Sequence, residues 1–412
     1  MSEAKSQISD NDTSPSVSVA WGKLGLTGIA PPDIPASATG VLLIDLATIA
    51  ANWQRLAELV KPALCSAVVK ADAYGLGAAR VIPTLYQAGC RVFFVATLDE
   101  AIEARSLTGE KATIFMLDGI MPGAASEVAD ANIWPVLSTR DEVEEWGVHA
   151  GDRKTPLPCA LHVDTGLNRL GLTGLEIRSL AANAHLLDRI NVRLIMSHLA
   201  CADEPDHPKN PQQRAVLEDL RPLLPTKALS LAASDGLMLG PDYHYAMVRP
   251  GYAIYGGQAF QGERAPVEPA VHAYARVLQV REAGPPHTVG YGATYAVPEK
   301  TRIATISSGY ADGVLRTSSA PNREVGGRAF ISGLEVPFAG RVSMDLVTLD
   351  IGELEAPPVR GDFVELLGPN LSLERVGQAA GTIGYEILTN LGRRYHRVYI
   401  EAGDDLAGGP SG

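Results

Sequence analysis

The sequence predicts an α/β protein, an N-terminal (β/α)8 barrel of the TIM type followed by a C-terminal, mostly β domain. Three observations lead there. The chain has 412 residues, and single cores stop growing at roughly 250 to 300 residues, so two domains are expected. Up to about residue 270, short β-branched apolar runs alternate with amphipathic stretches, the pattern of a parallel sheet with crossover helices. Beyond it the helical signals thin out and Gly-rich segments of alternating hydrophobicity take over.

Taken in order, residues 1–40 are rich in Ser, Asp and Pro, ending in PPDIPASATG, and are expected to form a mobile extension. The barrel is expected over 41–270. Its strands are SAVVK ending at Lys70, RVFFVAT ending at Thr97, TIFMLDG, IWPVLS ending at Ser138, ALHVDTG, RLIMSHL, LSLAAS ending at Ser234, and YAMVRPG. Eight such units over roughly 220 residues suit a barrel, whose usual length is about 250. The β domain is expected over 271–405, from segments such as HAYARVLQV, TRIATISSGYADG, RVSMDLVTLDI and DFVELLG, with a flexible tail at 406–412.

Composition excludes several classes. Lys and Arg number 35 against 47 Asp and Glu, a net charge of −12 with no basic run, so a nucleic-acid groove is not expected. Cys65, Cys90, Cys159 and Cys201 lie far apart, without a CxxC pair. They read as reduced thiols of a cytoplasmic protein, and no metal site is expected. No apolar run approaches the ~20 residues needed to span a bilayer. The N-terminus is polar and acidic, where a signal peptide would be basic and then apolar.

Lys70, Asp164, Arg169, His198, Ser234 and Arg249 all fall at or just after the C-terminal ends of expected strands, the rim where barrel chemistry sits. Lys70 follows two β-branched residues at the end of a buried strand. Burial favours a neutral amine, which can condense with an aldehyde cofactor or act as a base. Tyr74 is expected near the start of the next helix, where a phenol and helix N-terminal donors could hold a phosphate. Ser234 after the seventh strand, and Gly251 with Tyr252 after the eighth, occupy the loops where barrels commonly bind phosphates.

VVKADAYGLG resembles, in order and spacing, the pyridoxal phosphate attachment motif of alanine racemases. HVDTGLNRLG, SHLACADE, RPGYAIYG, VGYGATY, GYADG and GRVSMD are similar to further motifs of that family, in the family's order. The resemblance implies a homodimeric isomerase using pyridoxal 5'-phosphate. It would interconvert L- and D-alanine and so supply D-alanine for peptidoglycan. Lys70 would carry the cofactor and serve as base on one face of the substrate, with Tyr291 as base on the other. His198 and Arg249 would be the neighbours that ease ionisation of Tyr291. Arg249 would stand beside the pyridine nitrogen, to which an arginine does not readily give a proton. Arg169 would meet the cofactor's phenolate or the substrate carboxylate, the Met344 backbone would donate to that carboxylate, and Tyr310 and Asp345 would line the pocket. Because Lys70 and Tyr291 lie in different domains, the resemblance implies a head-to-tail dimer with shared sites.

The sequence also departs from the family. His162 stands where many members carry a lysine that becomes carbamylated and braces the arginine, and histidine cannot form that carbamate. Asn168 replaces a commonly small residue. Arg393 stands where a tyrosine touching the phosphate is expected, which leaves Arg393 itself or Tyr395 to take its place. The competing readings are a racemase of broader range or one preferring serine or lysine, a decarboxylase of the same architecture, and a non-catalytic pyridoxal phosphate binding protein. The last is a lone barrel, and the decarboxylases carry a Cys in the second domain, whereas all four Cys here precede residue 202.

Overall fold

The computed structural model describes residues 34–262 and 264–401. The expected mobile segment is outside the described residues up to position 33, as is the tail at 406–412. Residues 34–40 are placed: Ile34 is buried with Val41, Leu43, Tyr274 and Phe363, so the end of the expected extension packs against the fold.

In chain order the strands of the first half are β1 (Gly40–Asp45), β2 (Leu64–Cys65), β3 (Ala67–Val68), β4 (Val92–Val95), β5 (Thr113–Met116), β6 (Trp134–Leu137), β7 (Leu157–His162), β8 (Ile190–Met196), β9 (Leu229–Ser230) and β10 (Met247–Val248). From β3 to β9 each pairs in parallel with the next. Closure comes from β10, which pairs in parallel with β2, and from a parallel bridge between Ala233 and Arg249. The Ser66 and Val68 N–H groups reach the Val248 and Pro250 carbonyls at 3.0 and 2.8 Å, and the Arg249 N–H reaches Ala232 O at 2.9 Å. β2 and β3 are thus one barrel strand interrupted at Ser66, and eight strands close the ring.

Helices α1 (Leu46–Leu59), α2 (Ala78–Ala88), α3 (Leu98–Thr108), α4 (Ala125–Asp130), α5 (Arg140–Arg153), α6 (Gly174–Ala182) and α7 (Lys209–Leu220) cover the barrel. Their starts are written in sequence. Thr97, Thr139 and Thr173 each accept the N–H of a glutamate three residues on, and at Thr139 and Thr173 that glutamate answers the cap's own N–H. After β9 the chain makes only the 3-10 turns Asp235–Leu239 and Pro241–Tyr243, and after β10 only Tyr252–Tyr255. The eighth helical position is filled by α1, whose fully buried Asn52 bonds to Ile254 O at 3.2 Å, to Glu268 O at 2.8 Å and to the Glu268 N–H at 2.9 Å.

The second domain is built on the long strand β11 (Val271–Ala283), followed by β12 (Thr288–Val289), β13 (Tyr295–Ala296), β14 (Thr301–Ile306), β15 (Arg328–Ile331), β16 (Leu334–Pro337), β17 (Val347–Asp350), β18 (Phe363–Leu367) and β19 (His396–Ile400), with helices α8 (Leu373–Ala379) and α9 (Gly384–Thr389) before β19. One expectation is corrected here. The segment GVLLID, read as the entry to the barrel domain at 41, is β1, and it pairs antiparallel with β11 and parallel with β19. All six of its residues are buried. A strand apolar on both faces carries no alternation to say which sheet receives it. The chain therefore starts in the second sheet, passes through the barrel and returns, and α8 and α9 seat Leu373, Ile387 and Leu388 in the barrel's own apolar cluster.

Candidate active site

Lys70 is half-buried at the end of β3, where the chain enters an unusual turn. Ala71, Asp72, Ala73 and Tyr74 all have left-handed helical dihedrals, with φ between 53° and 58°. For L-residues this conformation costs roughly 1–2 kcal/mol each, so the surroundings must hold it. Glu100 on α3 accepts the Ala71 and Ala96 N–H groups, both at 2.7 Å, and Asp72 Oδ1 accepts the Ala78 N–H at 2.6 Å. From the second domain, Arg397 and Tyr399 donate to the Gly75 and Leu76 carbonyls at 2.7 and 3.0 Å. Tyr74, expected at the head of α2, instead lies inside this turn, which swings its ring inward over the barrel mouth.

There it joins a phenolic cluster. The Tyr74 ring centroid is 5.0 Å from Tyr255 and 6.3 Å from Tyr385, and Tyr385 stacks on Tyr252 at 4.0 Å. Ser234 Oγ accepts the N–H groups of Gly251 and Ala253, each at 3.1 Å. Gly251 has no room for a side chain: a Cβ would lie 2.4 Å from Tyr74 Oη. The Tyr252 N–H, first in its 3-10 turn, donates to no group among the described residues. Burial, reinforced by the Asp235 carboxylate, raises the Tyr74 and Tyr385 phenols above their ordinary range, so both remain proton donors. Burial also lifts Asp235 to about 6, although it accepts the Tyr385 hydroxyl at 3.2 Å. Two phenols, a serine hydroxyl and a free N–H around a side-chain-free glycine form a cradle suited to a phosphate.

Arg249 is buried beside it, 3% exposed. Its Nη1 donates to Ser230 Oγ, and its Nη2 to Ser197 O at 2.6 Å. Burial lowers its pKa only to about 10, so it stays cationic at neutral pH. His198 does not. Burial first, then the nearby Arg249 and Arg169 charges, push it down to about 3, and of the two expected aids to Tyr291 only Arg249 carries charge. Gln213 on α7 fixes this strand end, donating to His198 O at 2.9 Å and accepting the Ala200 N–H at 2.8 Å.

His162, at the end of β7, is buried with Nδ1 3.4 Å from Ser138 Oγ, and burial with the Arg249 charge lowers its pKa to about 4. Arg169 follows on an exposed turn that Asp164 organises, its Oδ1 accepting the N–H groups of Gly166, Leu167 and Asn168 at 2.8, 2.9 and 3.1 Å. Asn168 adopts φ 57°, a conformation asparagine tolerates better than most side chains.

The second-domain candidates all lie on exposed loops of that domain. Tyr291 lies in the turn of the β12–β13 hairpin and is 70% exposed. Tyr310 and Met344 are 42% and 53% exposed and adjacent, since the Tyr310 and Ala311 N–H groups bond to the Ser343 and Met344 carbonyls, both at 3.0 Å. Asp345 turns to Arg394 Nη1 at 2.6 Å. Neither substitute expected for the phosphate-site tyrosine serves there. Tyr395 is buried in the second domain with its hydroxyl 3.2 Å from Ser308 Oγ, and Arg393 is exposed. The phenol in the cradle is Tyr385.

Residues 44–259 match the family described as alanine racemase, N-terminal domain, and residues 270–399 its C-terminal domain. The chain belongs to the alanine racemase family. A catabolic alanine racemase of Agrobacterium fabrum is 45% identical over 367 residues, 89% of this chain and 93% of the relative. The biosynthetic alanine racemase of the same organism is 44% identical over 373 residues, 88% of this chain and 94% of its own. The crystal structure of alanine racemase from Bartonella henselae with covalently bound pyridoxal phosphate superposes with a TM-score of 0.84 at 39% identity, covering 88% of this chain and all of that one (100%). The alanine racemase family thus accounts for the barrel, for the β domain and for their order along the chain.

Sequence reasoning missed Tyr385, Asp235, Glu100 and Gln213. Tyr385 sits in GTIGYEILT, ten residues ahead of Tyr395, and a phenol at the start of a short helix after Gly384 was the available signal. Glu100 and Gln213 looked like ordinary helix-surface residues, and nothing local marks a side chain that turns inward.

Proposed function

We propose that this alanine racemase family member interconverts L- and D-alanine with pyridoxal 5'-phosphate held at the barrel mouth. The observation that carries the reading is the placement of Lys70 on the same rim as the Ser234, Gly251, Tyr252, Tyr74 and Tyr385 cradle, with buried Arg249 between them in the ring of strand ends. Lys70 would hold the cofactor, which, once its aldehyde carbon passes from Lys70 Nζ to the substrate amine, would supply the electron withdrawal that makes the substrate Cα–H acidic and leave Nζ free.

The chain's own groups do the rest. Lys70 Nζ takes or returns the proton on one face, and Tyr291 Oη serves the other. Arg249, pinned by Ser230 and Ser197, would meet the ring nitrogen as a cation that keeps its protons, which would limit electron drain into the ring and favour return of the proton to Cα. Neutral His198 accepts or donates a hydrogen bond without adding charge. Arg169, without a partner among the described residues on its exposed turn, is available for the substrate carboxylate or the cofactor's phenolate oxygen.

The 70% exposure of Tyr291 supports a homodimer in which each β domain offers its tyrosine to the partner's barrel. Four free thiols and an acidic composition support the cytoplasm as its place, and no described helix is long and apolar enough to cross a membrane. Identities of 45% and 44% to a catabolic and a biosynthetic relative support both roles equally, D-alanine supply for peptidoglycan among them.

The test is direct. Borohydride reduction of the yellow protein followed by peptide mapping should leave a pyridoxyl group on Lys70, and Lys70→Ala should form no D-alanine from L-alanine. A label on another lysine overturns the assignment. A panel of L-amino acids should show alanine as the best substrate, whereas equal turnover of serine or lysine would favour the broader reading.

A further inference from the structure

One guanidinium ties three segments of the second domain together. Arg394 Nε and Nη2 donate to Asp312 Oδ1 and Oδ2, both at 2.7 Å, while Nη1 donates to Asp345 Oδ1 at 2.6 Å. Asp312 Oδ2 also accepts the Gly309 N–H at 2.9 Å. The backbones lock in the same place, with the Tyr310, Ala311 and Gly392 N–H groups bonded to Ser343 O, Met344 O and Asp312 O, each at 3.0 Å. They approach so closely that a Cβ on Gly309 would fall 2.3 Å from Met344 O, and one on Gly392 2.8 Å from Ala311 O. The loop bearing Tyr310, the loop bearing Met344 and the segment 390–394 therefore move as one body.

Within that body several donors are left over, the N–H groups of Met344, Asp345 and Leu346 among them. The Met344 N–H donates to no group among the described residues, and Met344 is half-exposed beside Tyr310. The arm from Arg394 to Asp345 fixes the residue next to it, yet its side chains are 51% and 57% exposed. An ion pair that open to solvent adds little to stability. A planar fork reaching two carboxylates at once is a geometric device, and lysine, with one point charge, cannot reproduce it.

We propose that Arg394 is a positioning residue which, through Asp312 and Asp345, aims the Met344 N–H at the carboxylate of an amino-acid substrate. The inference rests on the racemase reading above. Arg394 acts through the loop and does not itself touch substrate.

Arg394→Lys and Asp345→Asn, prepared as holoenzymes, provide the test. The KM for L-alanine and the dissociation constant of propionate, which has the carboxylate but no amine, should rise together by about tenfold, the scale of one misaligned hydrogen bond to a charged group. Turnover at saturation should fall by less than about threefold if the bond is made equally in ground and transition states. Ethylamine, which lacks the carboxylate, should bind the variants and the parent alike, and Asp345→Asn should melt with the parent. Unchanged KM and propionate binding would overturn the inference, as would an equal loss of ethylamine binding, which would mean general damage to the site. If the parent racemised no amino acid, the racemase reading would fall, and calorimetric titration with propionate would still decide whether Arg394 governs a carboxylate site.

Discussion

Desolvation holds His162, His198 and His272 neutral, and the one outside the barrel mouth offers the cleanest measurement. His272 on β11 is pushed down from its ordinary 6.5 to about 4 by burial, against a smaller upward pull from Asp45, and its Nδ1 has no partner among the described residues. Because the folded pKa is depressed, the unfolded chain binds a proton more readily. Its contribution to stability is therefore complete above pH 6.5 and is lost as pH falls through about 4. His198 and His162, lowered to about 3 and about 4, act in the same direction. The urea midpoint should thus fall between pH 6.5 and pH 4, and His272→Gln, which cannot titrate, should flatten part of that slope. An unchanged slope would mean that His272 is protonated in the folded protein. At this scale the sequence marked which polar residues stand at strand ends and said little of their charge. Lys70, Ser234 and Arg249 were recognisable at strand ends, but the neutrality of His198 follows from burial among cations that only the folded chain assembles.

Between residue and molecule, the turn after β3 shows what pattern reading could not supply. The runs that became strands β3 to β10 were legible because β-branched residues ended at turn signals. A left-handed helical turn over Ala71–Tyr74 was not, since none of those residues favours positive φ by itself. Contacts from α3 and β19 impose it from outside while Asp72 braces it from within, so the turn that presents Lys70 depends on the second domain as much as on the barrel. The same limit hid the sheet partner of β1. Gly77 is the sensitive point: its φ is +97°, and a Cβ would lie 2.3 Å from Tyr399 Oη, the hydroxyl that holds Leu76 O. Gly77→Ala should cost about 1–3 kcal/mol of stability from backbone strain, read as a lower denaturation midpoint, and should weaken cofactor retention on dialysis because Tyr74 shifts with the turn. Gly109→Ala offers a control, since its φ is +65° but no atom lies within 4 Å of the new Cβ. If both variants lose the same stability and both keep cofactor, the contact with Tyr399 carries no weight.

For the whole molecule the decisive question is whether Lys70 and Tyr291 face one substrate, and from which chains. Lys70 lies at the barrel mouth, while Tyr291 stands 70% exposed on a hairpin turn of the other domain, with Gly290 and Gly292 at φ 77° and 72° shaping its presentation. The hairpin is anchored below its tip, because Tyr295 Oη donates to the buried Asp350 carboxylate at 2.6 Å. A fixed, solvent-facing phenol is a poor catalyst within one chain and a suitable one for a second copy. Lys70→Ala and Tyr291→Phe should therefore each racemise alanine poorly. When the two are refolded together, a mixed dimer places the intact lysine of one chain against the intact tyrosine of the other and leaves its second site doubly defective. Random pairing makes half the dimers mixed and half of their sites whole, so roughly one quarter of the parent activity should return under a two-fold arrangement. If each site draws both residues from one chain, no mixture contains a whole site. Heterodimers verified by tag exchange that show no gain over the separate variants would then rule out the shared site.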